Sequence, residues 1–153
     1  MKTTKISKVL IALDYDPTSQ KIAEYGYNFA KALHADVTLV HVVLDPIFYT
    51  TNIEFTRLDS VKADSVEGLT SASHFFLDSI KTYLQDDSIT TIIREGEVAK
   101  TISKVAKEID ADIIVMGSHS KRWLEEILLG HATEAVLKYS KIPIIIIPTK
   151  KHL

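Results

Sequence analysis

Short apolar segments alternate with segments of helical periodicity along this chain, and that alternation restricts its fold more than any other feature. The first apolar run, residues 8–13, is continuous, which is typical of a strand buried on both faces of a parallel sheet. Four further runs follow it. The five predicted strands are residues 8–13, 37–43, 89–94, 113–116 and 142–148.

Helices are predicted between these strands, because apolar residues recur there at the spacing of one helix face. The first helix begins after Pro17, with Thr18 or Ser19 as its N-cap. Residues 44–60 and 118–129 are expected to be connecting loops, the second with some helical character. The remaining helices cover about residues 61–85, 98–109 and 131–140.

This order predicts one α/β domain over residues 1–153, a Rossmann-like three-layer sandwich with helices on both faces of a five-stranded parallel sheet. Pro143 and Pro148 bracket the fifth strand, and proline belongs at sheet edges or strand ends. An edge as apolar as Ile144–Ile147 pairs readily unless it is covered. We expect a second copy to cover it, which gives a homodimer through Ile142–Pro148; a loop or the C-terminal tail is the alternative.

Composition excludes several classes of function. The 153 residues include no cysteine, which rules out disulfides, thiolate metal sites and cysteine nucleophiles. Lys and Arg number 18 against 20 Asp and Glu, with no evident basic stripe, which argues against a nucleic-acid partner. No apolar run approaches the ~20 residues of a membrane span, and the N-terminus does not resemble a signal peptide. We expect a cytoplasmic protein with no nucleic-acid or membrane partner.

Candidate binding residues follow the predicted strands, because open parallel sheets bind ligands beyond the carboxyl ends of their strands. The fingerprints G-x-G-x-x-G and G-x-x-x-x-G-K-[ST] are both absent. Gly117 ends the fourth strand and allows a close backbone approach. Gly130–Thr133 offers backbone N–H groups at a helix N-terminus, which suits a phosphate. The alternative for both glycines is that they lie in ordinary turns and have no role in binding.

Residues 14–18 match the D-x-D-x-T pattern of haloacid-dehalogenase-type phosphatases, in which the first Asp is the nucleophile and the second a general acid at a Mg²⁺ site. Such an enzyme would use Asp14 and Asp16. It also needs acidic metal ligands after the fourth strand, where residues 117–120 contain no carboxylate. The alternative is that Asp16 caps a helix and Asp14 is a polar site residue.

Three histidines bear on the site. His41 lies inside the second predicted strand, where we expect a packed, hydrogen-bonded side chain. His119 and His131 would flank the predicted pocket, where they could contact phosphate or supply acid–base chemistry. The alternative is that they are ordinary loop and helix-start residues. No pair of histidines has metal-ligand spacing, and no G-x-S-x-G elbow indicates a serine hydrolase.

These motifs together resemble the universal stress protein family. The similarity rests on Met116–Ser120, nine intervening residues, Gly130–Glu134 and a proline-bracketed final strand, and it covers essentially the whole chain. Asp14 after the first strand and Val40–Val42 in the second also fit. The resemblance implies a UspA-like sheet of order 3-2-1-4-5, a dimer through the last strand and, in one branch, ATP bound at a G-x-x-G, nine residues, G-[ST] motif.

The resemblance also implies a set of nucleotide-contacting residues. Asp14 would lie by the ribose and a nucleotide-bound Mg²⁺, and the Val42 backbone would read the adenine edge. Ala12 and Leu13 would line the adenine side. The residues that would flank the ribose and phosphates are Met116, Gly117, His119 and Ser120. Those that would hold phosphate oxygens are Gly130, His131, Ala132 and Thr133.

Two positions depart from the family motif: Ser120 replaces its second glycine, and His131 replaces its serine or threonine. A Cβ at Ser120 would crowd the phosphates if the backbone there requires a positive φ. His131 keeps its backbone N–H, and a protonated imidazole can replace the lost hydroxyl. A member of the branch that binds no ATP would show a degraded motif of this kind.

Three functional hypotheses follow. The first is a stress-response protein that binds ATP or a related adenine nucleotide as a switch of conformation or partner affinity, with at most weak ATPase activity and no catalytic residue assigned. The second is a nucleotide-free dimeric interaction module of the same family, whose 44–60 loop meets a protein partner. The third is the Mg²⁺-dependent phosphatase that uses Asp14 and Asp16.

Overall fold

The computed structural model describes residues 4–43, 62–118 and 131–149. Its strands are β1 (Lys8–Ala12), β2 (Asp36–Val43), β3 (Thr90–Glu95), β4 (Ile113–Gly117) and β5 (Ile144–Ile147). Its helices are α1 (Ser19–Ala32), α2 (Lys62–Leu84), α3 (Val98–Glu108) and α4 (His131–Tyr139). All strand pairs are parallel and the order is β3-β2-β1-β4-β5, which confirms the expected α/β fold.

β1 lies at the centre of the sheet, and its side chains face the two helical layers alternately. Val9 and Ile11 belong to the core beneath α1 and α2, whereas Leu10 and Ala12 belong to the core beneath α3 and α4. All four are buried. A strand with helices on both faces needs apolar residues at successive positions, which explains the continuous apolar run.

β5 is shorter than the predicted strand 142–148, because Pro143 and Pro148 have no N–H to donate to a ladder. Pro143 still accepts a hydrogen bond from the Ile114 N–H at 3.0 Å. β5 lies at an edge of the sheet, as predicted, and its four isoleucines are half-buried. The homodimer through this edge stays a prediction.

Three helices are followed by a residue that is not glycine yet lies in the left-handed region. His34, Gln85 and Asp110 have φ values of 55°, 54° and 53° and follow α1, α2 and α3. After α1, the Ala35 N–H donates to the Ala30 carbonyl at 2.9 Å, which completes a Schellman cap. These turns direct the chain into the next strand at the amino edge of the sheet.

The helices agree with the predicted spans to within one residue at each end of α2, α3 and α4. α1 lies close against the sheet, since a Cβ at Gly26 would be 2.8 Å from Ile11 Cδ1. In the three described ranges, no helix combines the length and the apolarity that crossing a membrane requires.

Candidate functional site

The carboxyl ends of β1 and β4 lie side by side, at the position where an open α/β sheet is expected to have its binding crevice. The two strands are neighbours, with Val9 paired to Ile113 and Ile11 paired to Val115. The helix that follows β1 packs on one face of the sheet, whereas the helix that follows β4 packs beside α3 on the other face. The strand order reverses at this point, and open α/β sheets bind their ligands in such crevices.

Val42 directs its backbone groups toward this crevice. In a parallel sheet, alternate residues of a strand bond to alternate neighbouring strands. The Val40 carbonyl accepts the Leu13 N–H at 2.9 Å, on the side of β1. The Val43 carbonyl accepts the Gly96 N–H at 3.0 Å, on the side of β3. The Val42 N–H and carbonyl therefore point to the β1 side, at a level that lies beyond the last residue of β1.

Asp14 is half-buried, two residues beyond the end of β1, and opens a hydrogen-bonded turn. Its Oδ1 accepts the Tyr15 N–H at 2.9 Å, and its carbonyl accepts the Asp16 N–H at 2.9 Å. The Asp16 carboxylate accepts the N–H and the hydroxyl hydrogen of Thr18. Thr18 has the predicted N-cap position, but its side chain makes no capping bond because its hydroxyl binds Asp16. Asp16 is therefore not the N-cap of α1, which was the alternative considered for it; its carboxylate binds Thr18, and its backbone carbonyl accepts the Ser19 N–H at 3.2 Å.

Ala12, Leu13 and Met116 are placed at the strand ends with their side chains in the core. Ala12 and Met116 belong to the core beneath α3 and α4, and Leu13 belongs to the core beneath α1 and α2. The side chains at these positions are therefore packed within the two cores of the sheet.

His41 is a packed, hydrogen-bonded residue of β2, which confirms the prediction. Its side chain is only 8% exposed, and its Nδ1 lies 2.8 Å from the Leu13 carbonyl oxygen. The imidazole packs edge to face on Phe76 of α2, with ring centroids 5.6 Å apart. The same Phe76 ring packs edge to face on Tyr15 at 5.2 Å. This cluster adjoins the turn that begins at Asp14.

The end of β4 is held by both α1 and α4. A Cβ at Gly117 would lie well under 3.0 Å from Ile22 Cδ1 and 3.1 Å from Thr149 Cγ2. A side chain at residue 117 would therefore force Ile22 of α1 to move. The Gly117 carbonyl accepts the hydroxyl hydrogen of Thr133, which is 3% exposed, at 2.9 Å. This bond ties the first turn of α4 to the carboxyl end of β4.

Sequence reasoning missed the polar contacts that join the end of β5 to this region. The Ser118 Oγ accepts the Thr149 N–H at 3.0 Å, and the Ser118 N–H donates to the Ile147 carbonyl at 2.9 Å. Lys21 of α1 donates from Nζ to the Pro148 carbonyl at 2.8 Å. The side-chain contacts join residues 31 and 127 positions apart, so no local spacing signals them.

Several predicted features lie outside the described residues: His119, Ser120 and Gly130, the loop at residues 44–60, and residues 119–129 of the second predicted loop. His131 and Ala132 are the first two residues of α4, as predicted.

The described residues hold no group of three or more His, Asp or Glu side chains arranged for a metal ion. The phosphatase hypothesis needs further acidic ligands beside Asp14 and Asp16, and the described part of the chain supplies none. The Asp16 carboxylate is also engaged in the turn with Thr18.

Two carboxylates with lowered pKa values lie at the amino edge of the sheet, opposite the crevice. Asp112 precedes β4, and the backbone N–H groups of Ser7 and Lys8 hold its pKa below the usual range. Asp86 precedes β3, and the hydroxyl of Ser88 is the largest cause of its lowered pKa. Both groups fasten connections of the fold and do not belong to the site.

Comparison with known proteins decides the family. The model described as "Universal stress protein family" matches residues 5–148 of this chain. The chain belongs to the universal stress protein family. The resemblance seen in the sequence motifs is thereby confirmed.

Curated relatives from archaea and bacteria agree with this assignment. Universal stress protein MJ0577 of Methanocaldococcus jannaschii is 32% identical over an alignment of 155 residues. The alignment covers 94% of this chain and 95% of that protein. Universal stress protein A of Escherichia coli K12 is 28% identical over 116 residues, which cover 75% of this chain and 77% of that protein.

Solved structures of universal stress proteins share the fold. The structure of MJ0577 superposes with a TM-score of 0.77 at 28% identity, covering 97% of this chain and all of that one. UspA from Lactobacillus plantarum also gives a TM-score of 0.77, at 20% identity, covering 95% of this chain and 99% of that one. A universal stress protein in complex with cAMP gives a TM-score of 0.67 at 16% identity, covering 96% of this chain and all of that one.

Proposed function

We propose that this universal stress protein binds an adenine nucleotide, ATP foremost, in the crevice between β1 and β4, and that it acts as a switch of conformation or partner affinity. The observation that carries the proposal is the geometry of the strand ends. β1 stops short of Val42, so the backbone of that residue points into space beyond β1, and Asp14 stands beside it. A backbone N–H and carbonyl next to a carboxylate suit the edge of a base and the hydroxyls of a ribose.

The adenine and ribose side of the site is proposed as follows. Ala12 and Leu13 form the apolar wall for the base, and the Val42 N–H and carbonyl read its edge. The Asp14 carboxylate accepts hydrogen bonds from ribose hydroxyls, and Mg²⁺ carried by the nucleotide is held near it. Because the Tyr15 N–H already donates to Oδ1 of Asp14 at 2.9 Å, the carboxylate is preoriented before a ligand arrives.

The phosphate side lies toward β4 and α4. Met116, Gly117, His119 and Ser120 flank the ribose and phosphates in this proposal. Backbone N–H groups of Gly130, His131, Ala132 and Thr133 hold phosphate oxygens, because the first N–H groups of a helix have no partner within the helix. The bond from Thr133 to the Gly117 carbonyl supports this arrangement, since it keeps the start of α4 at the same edge as the crevice.

The family supports an adenine nucleotide as the ligand class. A universal stress protein of the same fold is solved with cAMP, which shows that the fold accommodates an adenine ring and a phosphate in one of its members. We assign no catalytic residue, so ATPase activity is at most weak, and the proposed function is a binding switch in the cytoplasm.

We also propose that the protein is a homodimer through the edge strand β5. The four half-buried isoleucines of Ile144–Ile147 form an edge that a second copy of the same strand would bury. Sedimentation equilibrium measures the association directly. A monomer at micromolar concentration would contradict this part of the proposal.

Calorimetric titration with ATP, ADP and cAMP, with and without Mg²⁺, tests the proposed ligand. Asp14→Asn keeps the size of the side chain and removes its charge. We expect it to weaken ATP binding about tenfold or more, because hydrogen bonds to a charged group contribute about 1.5–3 kcal/mol. The matched control is Asp36→Asn, an exposed aspartate at the start of β2 on the opposite edge, which should bind as the wild type does.

Two results would count against the proposal in different ways. Equal affinity of Asp14→Asn and the wild type would reject the site while leaving nucleotide binding intact. No binding of any nucleotide by the wild type would reject the function and favour the nucleotide-free interaction module. Ser120→Gly then separates the causes: if the serine at this motif position obstructs the phosphates, the variant binds ATP more tightly than the wild type.

A further inference from the structure

We propose that His41 is a positioning residue of the nucleotide site: its imidazole holds the peptide that joins Leu13 to Asp14, and so holds the Asp14 carboxylate at the crevice. The proposal rests on the proposed function, because it concerns the presentation of Asp14 to a nucleotide. His41 is buried and makes no contact with the ligand in the proposed site, so it would act only through Leu13 and Asp14.

The hydrogen bond itself has a defined direction. Nδ1 of His41 lies 2.8 Å from the Leu13 carbonyl oxygen, and both residues are buried, at 8% and 4% exposure. A carbonyl oxygen accepts and never donates, so Nδ1 carries the hydrogen. In the low-dielectric interior this bond is stronger than at the surface, and its loss leaves a buried carbonyl without a partner.

This bond controls the position of Asp14 through the geometry of the peptide unit. The carbonyl of Leu13 and the N–H and Cα of Asp14 lie in one rigid plane. A donor that fixes the direction of that carbonyl therefore also fixes where the Asp14 backbone begins. On the other side of the same residue, the Leu13 N–H is held by the Val40 carbonyl at 2.9 Å. β2 thus holds both backbone polar groups of Leu13, the residue directly after β1.

The bonds within the turn have a different effect. The N–H groups of Tyr15 and Asp16 donate to the side chain and the carbonyl of Asp14. These bonds keep the turn compact, but they move with it. The bond from His41 comes from a neighbouring strand, so it fastens the turn to the sheet.

The imidazole is itself held in place. Phe76 of α2 packs edge to face on His41 with ring planes at 79°, and on Tyr15 with ring planes at 83°. One ring from α2 therefore positions both the donor and the residue that follows Asp14. A side chain needed for packing alone would be equally served by leucine, whereas a positioning donor would not.

Three variants separate these roles. His41→Asn keeps a donor, because the asparagine Nδ2 and the histidine Nδ1 are attached at the same point of the side chain. His41→Leu fills the space without a donor. Val37→Ala is the control for loss of stability alone: it truncates a buried residue of the same strand and the same face, toward the opposite edge of the sheet.

We expect His41→Leu to weaken ATP binding about tenfold or more, since displacement of a positioned group by about 1 Å can cost far more than that. His41→Asn should retain affinity within about threefold, and Val37→Ala should lower the melting temperature without changing affinity. Wild-type affinity in His41→Leu, or equal weakening in His41→Leu and His41→Asn, would overturn the proposal.

Two measurements without nucleotide keep this test independent of the proposed function. The ¹⁵N spectrum of the wild-type imidazole should show a protonated Nδ1, and an Nδ1 without hydrogen overturns the proposal even if no variant folds. Amide exchange at Tyr15 and Asp16 should be slow in the wild type and in His41→Asn, and faster in His41→Leu. Unchanged exchange in His41→Leu also overturns it. If these ligand-free results hold and the wild type binds no nucleotide, the proposed function fails while His41 keeps its role in holding the turn.

Discussion

Adding one methyl group at Gly117 tests how closely β4 and α1 are packed at the edge of the crevice. A Cβ there would lie well under 3.0 Å from Ile22 Cδ1, a separation that real Cβ atoms essentially never show, and 3.1 Å from Thr149 Cγ2. Ile22 is 4% exposed, so its side chain has little open space to move into. Overpacking of this kind costs about 1–3 kcal/mol. We expect Gly117→Ala to lower the free energy of unfolding by that amount in urea denaturation.

A second substitution shows whether the predicted clash is the cause. Ile22→Val removes Cδ1, the atom closest to the added methyl group, and should cost about 0.5–1.5 kcal/mol by itself. With that atom gone, the nearest remaining neighbours are at 3.1 and 3.2 Å. The double variant should therefore be about 1 kcal/mol more stable than the sum of the single effects predicts. Additive effects, or a Gly117→Ala variant as stable as the wild type, would refute this account of the packing.

Three further predictions concern stability. Gln85→Gly should raise the free energy of unfolding by about 0.5–1 kcal/mol in urea denaturation, because a φ of 54° costs less for glycine than for glutamine; a decrease would contradict this. Ser103→Ala should raise it by about 1 kcal/mol, since the buried Ser103 Oγ has no hydrogen-bond partner among the described residues; a loss of stability would reveal a partner. The pKa of Asp112, lowered by the N–H groups of Ser7 and Lys8, contributes stability that is present above the usual aspartate value of 3.8 and is lost as the pH falls below it. Asp112→Asn should therefore be less stable at pH 7 and lose less stability between about pH 5 and pH 2 than the wild type, and parallel pH profiles would argue against this role.

The order of elements was predictable because each local signal is strong. Residues 8–13 read as a doubly buried strand, and Val9, Leu10, Ile11 and Ala12 are all buried. The apolar runs do not reveal which strands are neighbours, however, so the order 3-2-1-4-5 came from the family resemblance. The ends of α2, α3 and α4 were predicted to within one residue, but the left-handed turn after α2 was not, because the residue there is Gln85 and not a glycine.

The candidate site was predictable only in part. Asp14 could be placed at the carboxyl edge because it follows the first apolar run, and His41 stood out as a polar residue within an apolar strand. Its partner, the Leu13 carbonyl, could not be identified, because a backbone group has no signature in sequence. Thr133 was expected to hold a phosphate oxygen, and nothing in the sequence indicated that its hydroxyl donates to the Gly117 carbonyl.

For the described residues, the sequence by itself determined the order of strands and helices along the chain, the continuous burial of residues 9–12 in β1, and which residues follow each strand. These properties depend on residues only a few positions apart, so the local spacing of apolar and polar residues predicts them. Only the tertiary structure showed that His41 of β2 binds the Leu13 carbonyl just after β1, that Ile22 lies against Gly117 and leaves little room for a side chain there, and that Ser118 binds Thr149 after β5. The contact of His41 with Leu13 joins residues 28 positions apart, and that of Ser118 with Thr149 joins residues 31 positions apart. The packing of the whole sheet sets the crossovers that bring such residues together.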